Sequence, residues 1–159
     1  MRRRLIAVLS ALSFLTPAGS AFAAPPAASV SPTLSVLSTG MRSSNLDRSI
    51  RFYTQGLGMT VLTTRDAGPV KEVIFGFQDS HDRPGLMVFQ KKDATDSSAP
   101  VDHGNSEVKV VLAVADVAAL AARLRAAGYA AGEIRESGPY KILWAQDPDG
   151  YKYEIVQRP

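Results

Sequence analysis

The feature that most constrains this chain is an internal repeat. The stretch NLDRSIRFYTQGLG opens on Asn45, carries Leu46, Ile50, Tyr53 and Leu57 at helical spacing, and stops at Gly58. DVAALAARLRAAG opens on Asp116, carries Val117, Leu120, Ala121 and Leu124 on one stripe, and stops at Gly128. Asn and Asp side chains accept hydrogen bonds from the free N–H groups of a helix start, and glycine takes the left-handed conformation that ends one. Cap and stop lie thirteen positions apart in the first copy and twelve in the second, so one helical unit is present twice.

Each helix has one strand candidate before it and three after it. LSVLSTGM leads into the first helix, and MTVLTTRD, VKEVIFGFQ and GLMVFQK follow it with the turn signals AGP and DSHDRP between them. EVKVVLAV leads into the second, and YAAGEIRE, YKILWAQD and YKYEIVQ follow. This order predicts an α+β chain of two tandem βαβββ modules in a single domain over residues 34–158, with module one at 34–92 and module two at 107–158. Lys91–Ser106, KKDATDSSAPVDHGNS, is polar and aperiodic and reads as the linker.

The last strand raises a chemical question. Asp147-Pro148-Asp149-Gly150 is strong turn chemistry, and the strand after it places Tyr151, Tyr153 and Ile155 on one face and Lys152, Glu154 and Val156 on the other. A single carboxylate, Glu154, is thereby aimed away from the large apolar residues. In EVKVVLAV the same alternation puts Glu107, Lys109 and Val111 together, opposite Val108, Val110, Leu112 and Val114.

Residues 1–23 read as a secretory signal peptide: the basic MRRR, the apolar run Leu5–Leu15 and the small-residue site around Ala21 and Ala23. That run is well short of the roughly 20 residues a spanning helix needs. Residues 24–33, rich in Ala, Pro and Ser, read as a flexible lead-in. Cleavage would remove Arg2, Arg3 and Arg4, three of the 18 basic residues, and leave the remainder equal in number to the 15 acidic ones. The net charge of +3 therefore gives no argument for nucleic acid or an anionic membrane as partner. The chain has no cysteine, so neither a disulfide framework nor a lipid-anchored cysteine is expected. A soluble periplasmic or secreted protein, with no membrane association after cleavage, is the expectation.

The duplicated βαβββ unit, LDRSIRFYTQGLGM early and DPDGYKYEI at the end, resembles the vicinal oxygen chelate superfamily of glyoxalase I, bleomycin-resistance proteins and extradiol dioxygenases. The resemblance covers Leu34 to Gln157. It implies a curved half-barrel of sheet with the helices outside and a ligand on the concave side, and it is compatible with a homodimer. It does not fix the reaction.

In the metal-dependent members four ligands come from equivalent strand positions. Carried over residue by residue, the first falls on Ser38, the second on Val88 to within a residue or two, the third on Lys109 and the fourth on Glu154. Only Glu154 keeps a ligand. Lys109 adds a positive charge where a cation would sit, so a divalent metal is disfavoured and no cofactor is expected. The expectation is that the Lys109 ammonium takes the metal's place, pairs with Glu154 and gives an apolar groove one polar anchor, with Ser38, Val88 and Trp144 as further ligand contacts.

His81 and His103, both in polar loops, could rebuild a displaced metal site only together with Glu107 or Glu154. No nucleophile elbow, Cys/His pair or phosphate-binding glycine loop is visible. The sequence thus favours a binding protein for a small, partly apolar molecule. The alternatives are a glyoxalase-like lyase or dioxygenase with a displaced metal, or Glu154 as a general base without metal.

Overall fold

The structure is a computed structural model that describes residues 36–77, 84–94 and 100–159. The expected signal peptide, the whole of the expected lead-in and His81 lie outside the described residues. Among the described residues no helix is long and apolar enough to cross a membrane.

Module one runs β1 (Thr39–Arg42), α1 (Leu46–Arg51), β2 (Thr60–Ala67), β3 (Val70–Gly76) and β4 (Pro84–Lys91). Module two runs β5 (Lys109–Val114), α2 (Val117–Ala126), β6 (Arg135–Ser137), β7 (Tyr140–Gln146) and β8 (Lys152–Gln157). The strands form two sheets of identical order, β1-β4-β3-β2 and β5-β8-β7-β6. In each, the first strand pairs parallel with the last, and the other neighbours pair antiparallel. The repeat in the sequence is therefore a repeat of topology, two βαβββ modules.

Both helices start as their caps require. Asn45 Oδ1 accepts from Arg48 N at 2.9 Å, and Asp116 Oδ1 accepts from Ala118 N and Ala119 N, each at 2.9 Å. Both chains leave their helix through a glycine of positive φ, +76° at Gly58 and +82° at Gly128, a conformation that a β-carbon opposes. The first helix differs from its expected form: α1 is six residues long and continues as a π-helical turn, Phe52–Gly56, closed by the Leu57 N–H to the Phe52 carbonyl at 3.0 Å. Phe52 and Tyr53 in this wider turn are both buried.

The core lies between the helices and the inner faces of both sheets. Phe52, Tyr53, Phe75 and Tyr153 are fully buried. Their rings meet at centroid distances from 5.0 to 6.2 Å, several of them edge to face. Each such side chain contributes about 1.5–3 kcal/mol by leaving water. Arg123 of α2 donates to the Gln55 carbonyl at 2.8 Å and the Thr54 carbonyl at 3.1 Å, tying the second helix to the end of the first.

Two strand expectations are corrected. LSVLSTGM is a strand only from Thr39, with residues 36–38 outside it and β1 running on to Arg42. YAAGEIRE pairs only over Arg135–Ser137, plus an isolated bridge from Ala131 to Ala145. The Gly132 N–H bonds the Trp144 carbonyl at 2.9 Å, so this segment meets β7 at two separate points, with Glu133 and Ile134 outside any strand.

Candidate functional site

Strand alternation gives sheet two one face against the helices and one open face. Leu143, Ala145, Tyr153 and Ile155 are buried on the first. The pairing register arranges the open face in rows. Lys109, Lys152 and Gln146 form the first row, Val111, Glu154 and Trp144 the second, and Ala113, Val156 and Ile142 the third. Tyr140 and Arg158 extend the same alternation beyond the third. The face therefore grades from a charged end to an apolar body.

At the junction of the first two rows, Lys109 Nζ donates to Glu154 Oε2 at 2.6 Å. The same ammonium lies 5.4 Å from the centroid of the Trp144 ring, so it is held by a carboxylate and by the negative face of an indole together. Lys109 is half exposed, while the Glu154 side chain is only 18% accessible, so the carboxylate lies at the base of the pair. A cavity of about 750 Å³ opens on one side, lined by Lys109, Trp144, Gln146, Lys152, Ala130 and Gly132 among others. A second, of about 580 Å³, opens on the other, over Val111, Ile142 and Val156, with Glu154, Tyr140 and Arg158 at its edge. The ion pair stands between the two.

Of the residues singled out in the sequence, Lys109, Glu154 and Trp144 come together. Ser38 precedes β1 in sheet one; its Oγ is buried without a hydrogen-bond partner among the described residues. Val88 is 2% exposed in the core. Its strand neighbours Met87 and Phe89 occupy the other face of β4, so Val88 is on the core side and not on an open face. His103 is held elsewhere: its Nε2–H donates to the Asp149 carbonyl at 2.8 Å and its ring meets Tyr151 edge to face. Lys152 belongs in the open-face set and went unselected, although its place two residues before Glu154 fixes it on that face.

The turn that launches β8 carries a second acidic group of opposite character. Asp149, 1% exposed, accepts from Ser44 N and Ser49 Oγ, each at 3.1 Å, and pairs with Arg48 at 3.1 Å. A turn of module two thereby closes the start of the module-one helix. Asp147 accepts from the Tyr53 hydroxyl at 2.7 Å and from the backbone N–H groups of Asp149 and Tyr151. Tyr53 and Tyr153 share a hydroxyl–hydroxyl bond of 2.8 Å. Burial pushes the Asp147 carboxyl up from its ordinary value, against the hydrogen bond from Tyr53, and it pushes both phenols well up. This cluster is sealed from the groove and positions the strand that carries Glu154.

Two tandem βαβββ modules with open sheets define the glyoxalase fold class. The model of the Glyoxalase/Bleomycin resistance protein/Dioxygenase superfamily matches residues 35–155, and the chain belongs to that superfamily. A lactoylglutathione lyase of Haemophilus influenzae is 30% identical over 132 residues, 78% of this chain and 93% of the relative. The trypanothione-dependent glyoxalase I of Leishmania major superposes with a TM-score of 0.65 at 29% identity, over 79% of this chain and 87% of that one. TnmS3, an antibiotic binding protein from Streptomyces sp. CB03234, shares the fold with a TM-score of 0.62 at 16% identity, over 82% of this chain and all of that one.

The residues here do not fit the divalent metal of the metal-dependent members. Such an ion needs several donors converging at about 2.0–2.2 Å. Of the four positions only Glu154 carries an anionic donor, and that carboxylate already faces an ammonium at 2.6 Å. Among the described residues no three His, Cys, Asp or Glu side chains are grouped to hold an ion.

Proposed function

We propose that this chain is an exported small-molecule-binding member of the superfamily, taking a partly apolar ligand on the open face of sheet two. The Lys109–Glu154 pair is its polar anchor, standing where metal-dependent members hold their ion. The observation that carries this reading is the 2.6 Å contact itself, seated beside Trp144 between two cavities. An internal cation neutralises the carboxylate and leaves both groups able to hydrogen-bond a ligand. Val111, Trp144 and the apolar row of Ala113, Val156 and Ile142 on one side of the pair supply contact area for the apolar part of such a ligand. Export rests on the leader-like residues 1–23, and a homodimer is compatible with open sheets that leave apolar residues uncovered.

A second reading is favoured by a different observation, the 30% identity to a lactoylglutathione lyase over most of both chains. In that case the protein is a lyase whose metal is held at displaced positions.

The two readings separate in one experiment. Untagged protein, isolated without chelators, is analysed for metal and then offered nickel, zinc, manganese and iron with S-lactoylglutathione as the assayed compound. The binding reading expects substoichiometric metal and no turnover. Stoichiometric metal, with turnover abolished by Glu154→Gln, would replace it with the lyase. Localisation is read from fractionation of the producing cells, and cytosolic full-length protein would remove the export component.

A further inference from the structure

The first row of the open face has an arrangement that the fold does not require. Lys109 and Lys152 are direct partners across the parallel pair β5 and β8. Adjacent strands are about 4.8 Å apart, and like charges placed directly opposite destabilise a sheet. Lys109 is neutralised by Glu154 at 2.6 Å. Lys152 has a weaker partner: Glu107 lies 3.4 Å away, and its side chain is 87% exposed. An exposed pair of this kind contributes little and is easily exchanged for another anion. The third member of the row, Gln146, directs its amide N–H to the Gly150 carbonyl and adds no negative charge. The two lysines and two glutamates balance in charge, but Lys152, with its exposed and weakly held partner, presents one ammonium open to exchange with another anion at the mouth of the 750 Å³ cavity, whose lining includes Glu107 and the Trp144 ring. Beyond Trp144 the next row, Ala113, Val156 and Ile142, is wholly apolar. Two rows are separated by two residues along a strand, roughly 7 Å. An anionic head at the lysines thus leaves a body one or two rings long lying on Trp144 and the apolar row.

Resting on the groove-binding reading above, we propose that the ligand class of this site is an amphipathic anion. An acidic head group sits at Lys152 and Lys109, and an aromatic or aliphatic body lies along Trp144, Val111 and Ile142. The opposing carboxylates are Glu154, which Lys109 neutralises at 2.6 Å, and Glu107, which an incoming anion displaces from Lys152.

Two naphthalene probes isolate the head group. 1-Anilinonaphthalene-8-sulfonate carries a sulfonate on the same rings that N-phenyl-1-naphthylamine presents without it. Binding is followed by quenching of Trp144, the one tryptophan of the chain; because energy transfer to a naphthalene reaches across a small domain, only quenching that Val111→Glu weakens is counted as binding on this face. At low salt the sulfonate probe is expected to bind roughly fivefold to tenfold more tightly than the neutral one. The preference should vanish near 1 M salt, where screening reaches about 3 Å. Lys152→Gln should remove it while leaving the neutral probe unchanged, and Glu107→Gln should increase it. If both probes quench Trp144 equally and Lys152→Gln alters neither, the anion preference is wrong and groove binding stands. If neither probe reaches Trp144, groove binding fails and takes the ligand class with it.

Discussion

Two acidic groups arise from the same ten residues, DPDGYKYEIV, and the structure puts them to opposite uses. Asp147 and Asp149 are turned inward, where backbone N–H groups, Ser44, Ser49, Arg48 and Tyr53 hold them. Glu154, five residues after Asp149, is turned outward to a single ammonium at the base of a groove. A buried carboxylate held by several donors from both modules keeps the modules in register. One with a single exchangeable partner is available to a ligand. The inner cluster should therefore control stability with little direct bearing on the groove, and the outer pair should do the reverse.

The sharpest way to break that contrast is Asp149→Ala. It removes the carboxylate that accepts from the Ser44 N–H and Ser49 Oγ and pairs with the Arg48 guanidinium, in a place water reaches poorly. Removing one partner of a buried pair costs about 3–5 kcal/mol. A loss of that size in the unfolding free energy, taken from urea titration followed by circular dichroism, is expected, and a loss below about 1 kcal/mol would deny the cluster its role. Tyr53→Phe comes next. It strips a hydroxyl that bridges Asp147 at 2.7 Å and Tyr153 at 2.8 Å, and about 2 kcal/mol should be lost by the same measurement.

Asp147 sharpens the comparison through pH. Its carboxyl is raised by burial in the folded state, so the folded protein favours the protonated form. The stability it contributes is fully present below the unfolded-state value, about 3.9, and is lost as pH rises through the folded value. Asp147→Asn has no such proton to release. Its urea midpoint relative to wild type should therefore improve as pH is raised from about 4 and level off once pH passes the folded value. A difference that stays flat over this range would show that the hydrogen bonds from Tyr53, Asp149 and Tyr151 outweigh burial.

How far the sequence disclosed this follows from the range of each interaction. Caps, stops and alternation are local, so both helices, six strands nearly to their full extent and the facing of Lys109 and Glu154 were readable. Val88 was not, because GLMVF in β4 is apolar on both faces, and period two cannot say which of Met87, Val88 and Phe89 points outward. The π-helical turn was not readable either, since the burial of both Phe52 and Tyr53 belongs to the tertiary core. The Asp149 network joins residues about a hundred positions apart, and nothing local to either end announces it. Lys152 was legible by parity alone; it needed only the register of β5 on β8 to become a neighbour of Lys109.

The smallest stability effect and the largest effect on the groove should both come from Lys109→Met. The methionine keeps the length of the chain across Trp144 and removes the charge. Lys109 is half exposed, so its pair with Glu154 is screened by water and contributes at most about 1 kcal/mol, and the urea midpoint should scarcely move. The groove should change more. Glu154 is left as an unpaired negative charge beside Trp144, and the sulfonate probe, now facing that charge with Lys152 alone to hold it, should weaken by more than the neutral probe. The Trp144 emission should shift as well, because a cation 5.4 Å from its ring has gone. If Lys109→Met destabilised the fold as severely as Asp149→Ala and left both probes unaffected, the outer pair would be a second structural staple. The division of labour between the two ends of DPDGYKYEIV would then fall.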